Sequence, residues 1–444
     1  MTAGRVIGYL PQDRPPFGAL VSLGFQHVLT MFPATVLVAI LTKFDVGVTL
    51  FTSGLATIVA VVGSGGRIPL YYGGSFAYIA PVVAVVGASW GGHRVAQVGI
   101  VATGLVNILA GLIIQRVGKQ ALDRVLPPAI TGSVAIVIGV ALAKAALDMA
   151  SQNWTIALLT LVATVLFSVY LRGKGLLGML PVLLGAAVGY LVSLAAGLVD
   201  FKPVLEAPLF AMPKFQFPAF TAPGAWQAVL AIAPIAIATI PESTAHLYQI
   251  SLYIDKLADE LGRPRLEVKR LIGLNLVLDG LSDMINGFFG ASSGTNYGEN
   301  NSLMAITRNY STPVLAAAGV IAMALGFVAK LSALISTLPI FVTGGLAIYL
   351  FGVIAMQGVA LMQEEKVDLF DPRQLAIGAI ILVIGLGGAA MEGGNIPIWG
   401  MKLPSIATAA VVGILLNLVF LAFDRRSAGA RPGAHAEPAV EAHD

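Results

Sequence analysis

Apolar residues fall in long blocks along this chain, and charged positions gather between the blocks rather than alternating within them. In the first half the blocks lie near residues 17–41, 46–62, 75–86, 95–115, 128–147, 154–171 and 176–198. In the second they lie near 226–248, 271–289, 299–306, 313–335, 340–362, 374–390 and 405–423. A helix needs about 20 mainly apolar residues to cross the roughly 30 Å hydrocarbon core of a bilayer, and all but 75–86 and 299–306 approach that length. The pattern predicts an all-α polytopic membrane protein with fourteen transmembrane segments. It divides the chain into a cytoplasmic N-terminus (1–16), a first seven-span repeat (17–198), an irregular proline-bearing connector (199–225), a second seven-span repeat (226–423) and a disordered cytoplasmic tail (424–444).

Composition narrows the solvent to lipid. Hydrophobic residues make up 57% of the 444, charged residues 11%, and the mean hydropathy is +0.86, a balance no water-soluble domain of this size carries. The 50 glycines and 24 prolines would weaken soluble helices but suit close helix packing and broken spans in a membrane. There is no cysteine, so disulfides, thiolate metal sites and thiol nucleophiles are excluded. With five scattered histidines as well, neither a metal centre, a cofactor nor an enzyme active site is expected. Residues 1–16 lead into an apolar run without a small-residue cleavage site, so the first block reads as a retained helix rather than a removed signal.

Charge orients the spans. With the N-terminus inside, alternate loops collect 19 of the 26 basic residues, among them Arg67, Arg116, Lys119, Arg172, Arg263, Arg270, Arg308, Lys366 and Arg373. This positive-inside bias places both termini in the cytoplasm, and dropping either short block would invert every later loop and spoil it. The short blocks are therefore retained as half-helices. Each follows a glycine-bearing extended stretch, Tyr71-Tyr72-Gly73-Gly74-Ser75 before the third and Gly294-Thr295-Asn296-Tyr297-Gly298 before the tenth. Seven spans separate them, which predicts two inverted repeats whose half-helices aim their N-termini at each other, the usual place for a transporter's binding site.

Ionisable groups at membrane depth cost a few kcal/mol and ask for a reason. Glu242 and His246 lie four apart on the eighth block, on one helix face, where an acid and an imidazole share a proton. Glu299 stands at the start of the tenth, where a half-helix dipole favours a carboxylate. His27, beside Gln26, occupies the first block. Asp279 and Asp283 read as hydrogen-bonding to loop backbone or as protonated, and Lys330 as snorkelling to an interface. Carboxylates beside backbone donors suit a flat ligand with adjacent N–H and C=O groups, such as a pyrimidine or purine edge, with Tyr72, Phe76, Tyr78 and Tyr297 as stacking faces. They repel an inorganic anion unless protonated.

The segments Gly287-Phe288-Phe289-Gly290, Thr295-Asn296-Tyr297-Gly298-Glu299-Asn300 and Met304-Ala305-Ile306-Thr307-Arg308 resemble the signature of the nucleobase–ascorbate transporter family, with the bacterial uracil permeases as the nearest group. Gln26-His27, Ala34-Thr35-Val36-Leu37-Val38, Arg67-Ile68-Pro69, Gly74-Ser75-Phe76-Ala77 and Leu126-Pro127-Pro128 support the likeness in order along the chain. The resemblance implies proton-coupled symport of uracil or a related base across the bacterial cytoplasmic membrane, with a core domain, a gate domain and frequent homodimers. It implies no nucleic-acid partner. It further implies that Glu242 and Glu299 hydrogen-bond the base, that Ser75, Phe76 and Gly298 lie at the site with backbone groups offered by the latter two, and that Tyr297, Ala34 and Phe351 line the pocket. His246, Glu242 and His27 would carry the proton. The acid at 299 leans toward uracil. Ser243, Asn301-Ser302 and Phe351 depart from the uracil-permease pattern and leave open a purine permease such as one for xanthine. An anion transporter of the related sulfate-permease architecture is the other competing reading.

Overall fold

The computed structural model describes residues 8–118, 124–391, 394–398 and 401–429; Arg5, Lys119 and the tail beyond residue 429 lie outside them. The first half contains α1 (Phe17–Thr42), α2 (Val46–Gly63), β1 (Tyr72–Gly74), α3 (Ile79–Gly87), α4 (His93–Val117), α5 (Pro128–Ala141), α6 (Ala143–Ala150), α7 (Trp154–Tyr170) and α8 (Pro181–Ala195). A short α9 (Lys202–Glu206) sits in the connector. The second half contains α10 (Ala225–Ile232), α11 (Ala236–Glu260), α12 (Ile272–Phe289), β2 (Gly294–Asn296), α13 (Gly298–Thr307), α14 (Thr312–Gly326), α15 (Ala329–Ser336), α16 (Ile340–Glu364) and α17 (Pro372–Ala390), then a β3–β4 hairpin (Asn395–Ile398, Met401–Pro404) and α18 (Ser405–Gly429). Among the described residues, eight helices are long and apolar enough to cross a membrane, or nine if a bent pair is one span.

Two expected spans are interrupted. Residues 313–335 read as one helix, yet α14 and α15 meet at 74°. Helix α14 ends where Gly326 packs on α2, so closely that a Cβ there would lie 2.6 Å from the Gly47 carbonyl, and the connector docks on the break through Ala211 N–H to Phe327 O (3.0 Å). Residues 226–248 also divide, at a 3₁₀ turn over Ala233–Ile235 containing Pro234, and α11 then continues to Glu260. Proline removes a helix donor and crowds the preceding turn. The connector is held by its backbone rather than by helices: Gln97 Nε2 donates to Gln216 O (2.7 Å) and Gly287 O (2.9 Å), and Phe215 and Phe217 sit edge-on among Phe51, Phe288 and Phe289.

Helix partners exchange between the halves in a consistent way. Helix α2 packs on α14 as α12 packs on α4; α1 on α14 as α10 on α4; α7 on α8 as α17 on α18; α7 on α16 as α17 on α5. The pairs α5–α16, α2–α12 and β1–β2 each join corresponding elements. Small residues permit these crossings: a Cβ on Gly54 would meet Gly319 O at 2.3 Å, one on Gly104 would meet Gly280 O at 2.5 Å, and one on Gly358 would meet Gly132 O at 2.5 Å. Lipid tails are as apolar as leucine, so helices in a membrane associate through such close van der Waals approach.

Candidate functional site

The two extended stretches cross as an antiparallel pair, Tyr72 opposite Asn296, Gly73 opposite Thr295 and Gly74 opposite Gly294. Flanking bonds lengthen the ladder, Ser75 N–H to Ser293 O (3.0 Å) and Tyr297 N–H to Tyr71 O (2.9 Å). Each stretch then turns into a short helix. Ser75 is buried and caps the 3₁₀ turn Phe76–Tyr78 ahead of α3 by accepting from Ala77 N–H (3.3 Å), while Tyr297 leads into α13. The first amides of such helices have no intrahelical partner, so both starts present donors.

Tyr297 locks the crossing. Its hydroxyl donates to Gly74 O (2.8 Å), which leaves its oxygen to accept from Thr35 on α1 (2.9 Å). Gly73 is tight for the same reason, since a Cβ there would stand 2.6 Å from the Tyr297 ring. Asp283 pins the other strand: one oxygen accepts from Ser293 Oγ (2.6 Å) and Gly294 N–H (2.7 Å), the other from Asn107 Nδ2 (2.9 Å). The expected bonding to loop backbone is therefore present at Asp283.

His246 on α11 meets Asn296 through Nδ1, 2.9 Å from its backbone oxygen and 2.8 Å from Oδ1. A carbonyl only accepts, so Nδ1 carries the proton and Nε2 is the nitrogen left free. Nε2 faces the start of α13, at 2.8 Å from where a Cβ on Gly298 would be. Asn296 is held in turn by Nδ2 donating to Ser243 Oγ (2.7 Å), which also accepts from Asn275 Nδ2 (2.9 Å). Glu242 lies within electrostatic reach of both His246 and Glu299, and both carboxylates are solvent-accessible although the helices around them are packed. Ala34 and Phe76 are half-buried.

Two predicted residues sit apart from this group. His27 is 1% exposed and bonded to Asn300 on α13, whose Nδ2 donates to His27 O (3.1 Å) and to Nδ1 (3.0 Å). The amide is oriented by the backbone oxygen, so Nδ1 of His27 accepts and the ring is neutral. Phe351 is 2% exposed in an apolar cluster with Val38, Ile79, Leu142 and Ala347, and Phe76 packs at its margin. Sequence reasoning did not single out Asn275, Asn296 or Thr35. Amides in an apolar run were the available signal, but their partners are set only by tertiary structure.

The permease family model, that of the xanthine and uracil permeases, matches residues 18–394. A uracil permease of Bacillus caldolyticus is 40% identical over 92% of this chain and 93% of its own length. The uracil permease of Escherichia coli K12 is 37% identical over 94% of each. Solved structures share the fold at low identity: the transmembrane domain of a cyanobacterial bicarbonate transporter, BicA (TM-score 0.57, 14% identity, 92% of this chain and all of that one), and SLC26A9 (TM-score 0.62, 11% identity, 91% and 65%). With its apolar helices, its crossed extended strands and a family match over most of its length, the chain belongs to the nucleobase–ascorbate transporter family.

Proposed function

We propose that this protein imports uracil, or a closely related nucleobase, in symport with protons across the bacterial cytoplasmic membrane. The observation that carries the reading is the pair of accessible carboxylates, Glu242 and Glu299, beside the start of α13 and within reach of a histidine whose Nε2 is free. Uracil presents N–H groups flanked by carbonyls. Glu242 and Glu299 accept from the N–H groups, and backbone amides at Phe76 and Gly298 donate to the carbonyls. Tyr297 and Ser75 hold the two half-helix starts in register, Ala34 packs against the ring, and Phe351 closes the apolar side behind Phe76. Protonation at Glu242 and His246 Nε2 removes carboxylate repulsion as the base binds, and His27 holds α13 to α1 so that its start stays aligned.

The exchange of helix partners between halves supports fourteen spans in two inverted seven-span repeats, with both termini cytoplasmic by charge bias. The assembly is proposed as a homodimer with a core and a gate domain. Two carboxylates at the site disfavour an inorganic anion, so likeness in fold to anion transporters does not transfer a substrate.

Uptake of labelled uracil by proteoliposomes, with and without an inward proton gradient, tests the reading, with xanthine, thymine and sulfate as competitors. Uracil accumulation driven by the gradient and lost in Glu299→Ala supports it. Uptake indifferent to the gradient removes proton coupling, and competition by xanthine or sulfate alone removes the substrate.

A further inference from the structure

A cavity of about 290 Å³ shares no residue with the Glu242/Glu299 site. It lies between the start of α5, the end of α16, the start of α17 and the last turns of α18. Its inner wall is apolar, with Pro128, Ile377 and Phe420, and its rim carries two cations, Lys366 and Arg373, and two carboxylates, Glu365 and Asp371. The rim is set by regular caps. A helix-ending turn, with Val367 N–H donating to Met362 O (2.9 Å), places Lys366 beyond α16, and Asp371 caps α17 by accepting from Arg373 N–H (3.1 Å).

The surroundings identify the solvent on each side. Leu415, Leu418 and Val419 of α18 are exposed and stand on the same helix as Phe420 and Leu421 of the cavity wall, an apolar surface suited to lipid. Beside the rim, Phe370 is 96% exposed next to an exposed Leu369. An uncovered Phe–Leu pair is unfavourable in water and favourable at headgroup depth, where the ring meets the acyl boundary. A molecule seated here is thus apolar below and charged above.

Charge decides which amphiphile. A headgroup that is only anionic meets Glu365 and Asp371, and one that is only cationic meets Lys366 and Arg373. A zwitterion with a phosphate and a primary ammonium meets both signs, the phosphate accepting from Lys366 and the ammonium donating its N–H groups to Glu365. We infer that this cavity is a binding site for one zwitterionic phospholipid with a primary ammonium headgroup, of the phosphatidylethanolamine type, in the cytoplasmic leaflet. Only the leaflet rests on the orientation proposed above; the site itself does not depend on the substrate or on proton coupling.

The test uses the full-length protein, delipidated in detergent, with native mass spectrometry for retained lipid and melting temperature for stabilisation. The probes are phosphatidylethanolamine, phosphatidylcholine, phosphatidylglycerol and soluble glycerophosphoethanolamine. A lipid present at about 100 times its dissociation constant stabilises the native state by roughly 2.7 kcal/mol. Phosphatidylethanolamine is expected to bind at least fivefold more tightly than phosphatidylcholine, which has no ammonium N–H, and than phosphatidylglycerol, which has no cation; the soluble headgroup should give no shift. Lys366→Ala should lose at least fivefold in phosphatidylethanolamine affinity while keeping its uracil-induced shift, which reports an intact fold. If that variant does not fold, Glu365→Gln reads the same question, because it should erase the preference for phosphatidylethanolamine over phosphatidylcholine. Equal or tighter binding of phosphatidylglycerol, a response to the soluble headgroup alone, or unchanged phosphatidylethanolamine affinity in the substituted protein overturns the assignment.

Discussion

Gly298→Ala separates transport from folding. A Cβ at this position would stand 2.8 Å from His246 Nε2, whereas ordinary contact begins near 3.4 Å, so the ring must retreat by about 0.6 Å. The same ring is held through Nδ1 by two contacts of 2.8 and 2.9 Å, and a rigid imidazole moved that far distorts or breaks them. Two neutral hydrogen bonds contribute about 0.5–1.5 kcal/mol each. Opposing this, alanine is favoured over glycine inside a helix by up to about 1 kcal/mol. The melting temperature in detergent should therefore change by only a few degrees. Transport should fall about tenfold or more, since a loss of about 1.4 kcal/mol in the bound geometry already costs a factor of ten. The assay is initial-rate uracil uptake across a range of external pH, paired with a thermal melt of the same preparation. A variant with uptake and pH profile within twofold of wild type would mean that the position of the His246 ring against α13 does not matter.

Three further outcomes follow from packing and buried polar groups. Tyr297→Phe leaves Gly74 O without its donor in a buried crossing and leaves the Thr35 hydroxyl only Met31 Sδ, and should destabilise by about 1–3 kcal/mol, read as a lower melting temperature together with weaker uracil binding. Asp283→Asn turns one acceptor into a donor facing donors from Ser293, Gly294 or Asn107, and should destabilise by a similar amount, with lost protection of the β2 amides in hydrogen exchange. Gly104→Val drives side-chain atoms against Gly280 O, already 2.5 Å from the first of them, and should cost about 1–3 kcal/mol or block assembly, whereas the same change at Gly87, which has open space, should leave the melt within a degree or two.

Solvent and family are legible in the amino-acid sequence alone. Apolar blocks separated by charge require lipid, and the Thr295–Asn300 segment with its companions carries a likeness that the family match over residues 18–394 bears out. Local spacing also brought Glu242 and His246 onto one helix, because four residues make about one turn. Which residues meet is settled by the fold. His246 finds Asn296 fifty residues away and His27 finds Asn300 across 273 residues, and these contacts, not the residue types, make one imidazole a donor at Nδ1 and the other an acceptor there. The breaks at Ala233–Ile235 and between α14 and α15, and the burial of Phe351 in an apolar cluster, were equally hidden. The physical reason is that hydropathy reports removal from water, which lipid and protein interior satisfy alike, so it cannot distinguish a packed face from a lipid-facing one. That choice is made by the close approach of small residues and by pairing of buried polar groups, both of which join positions far apart in the chain.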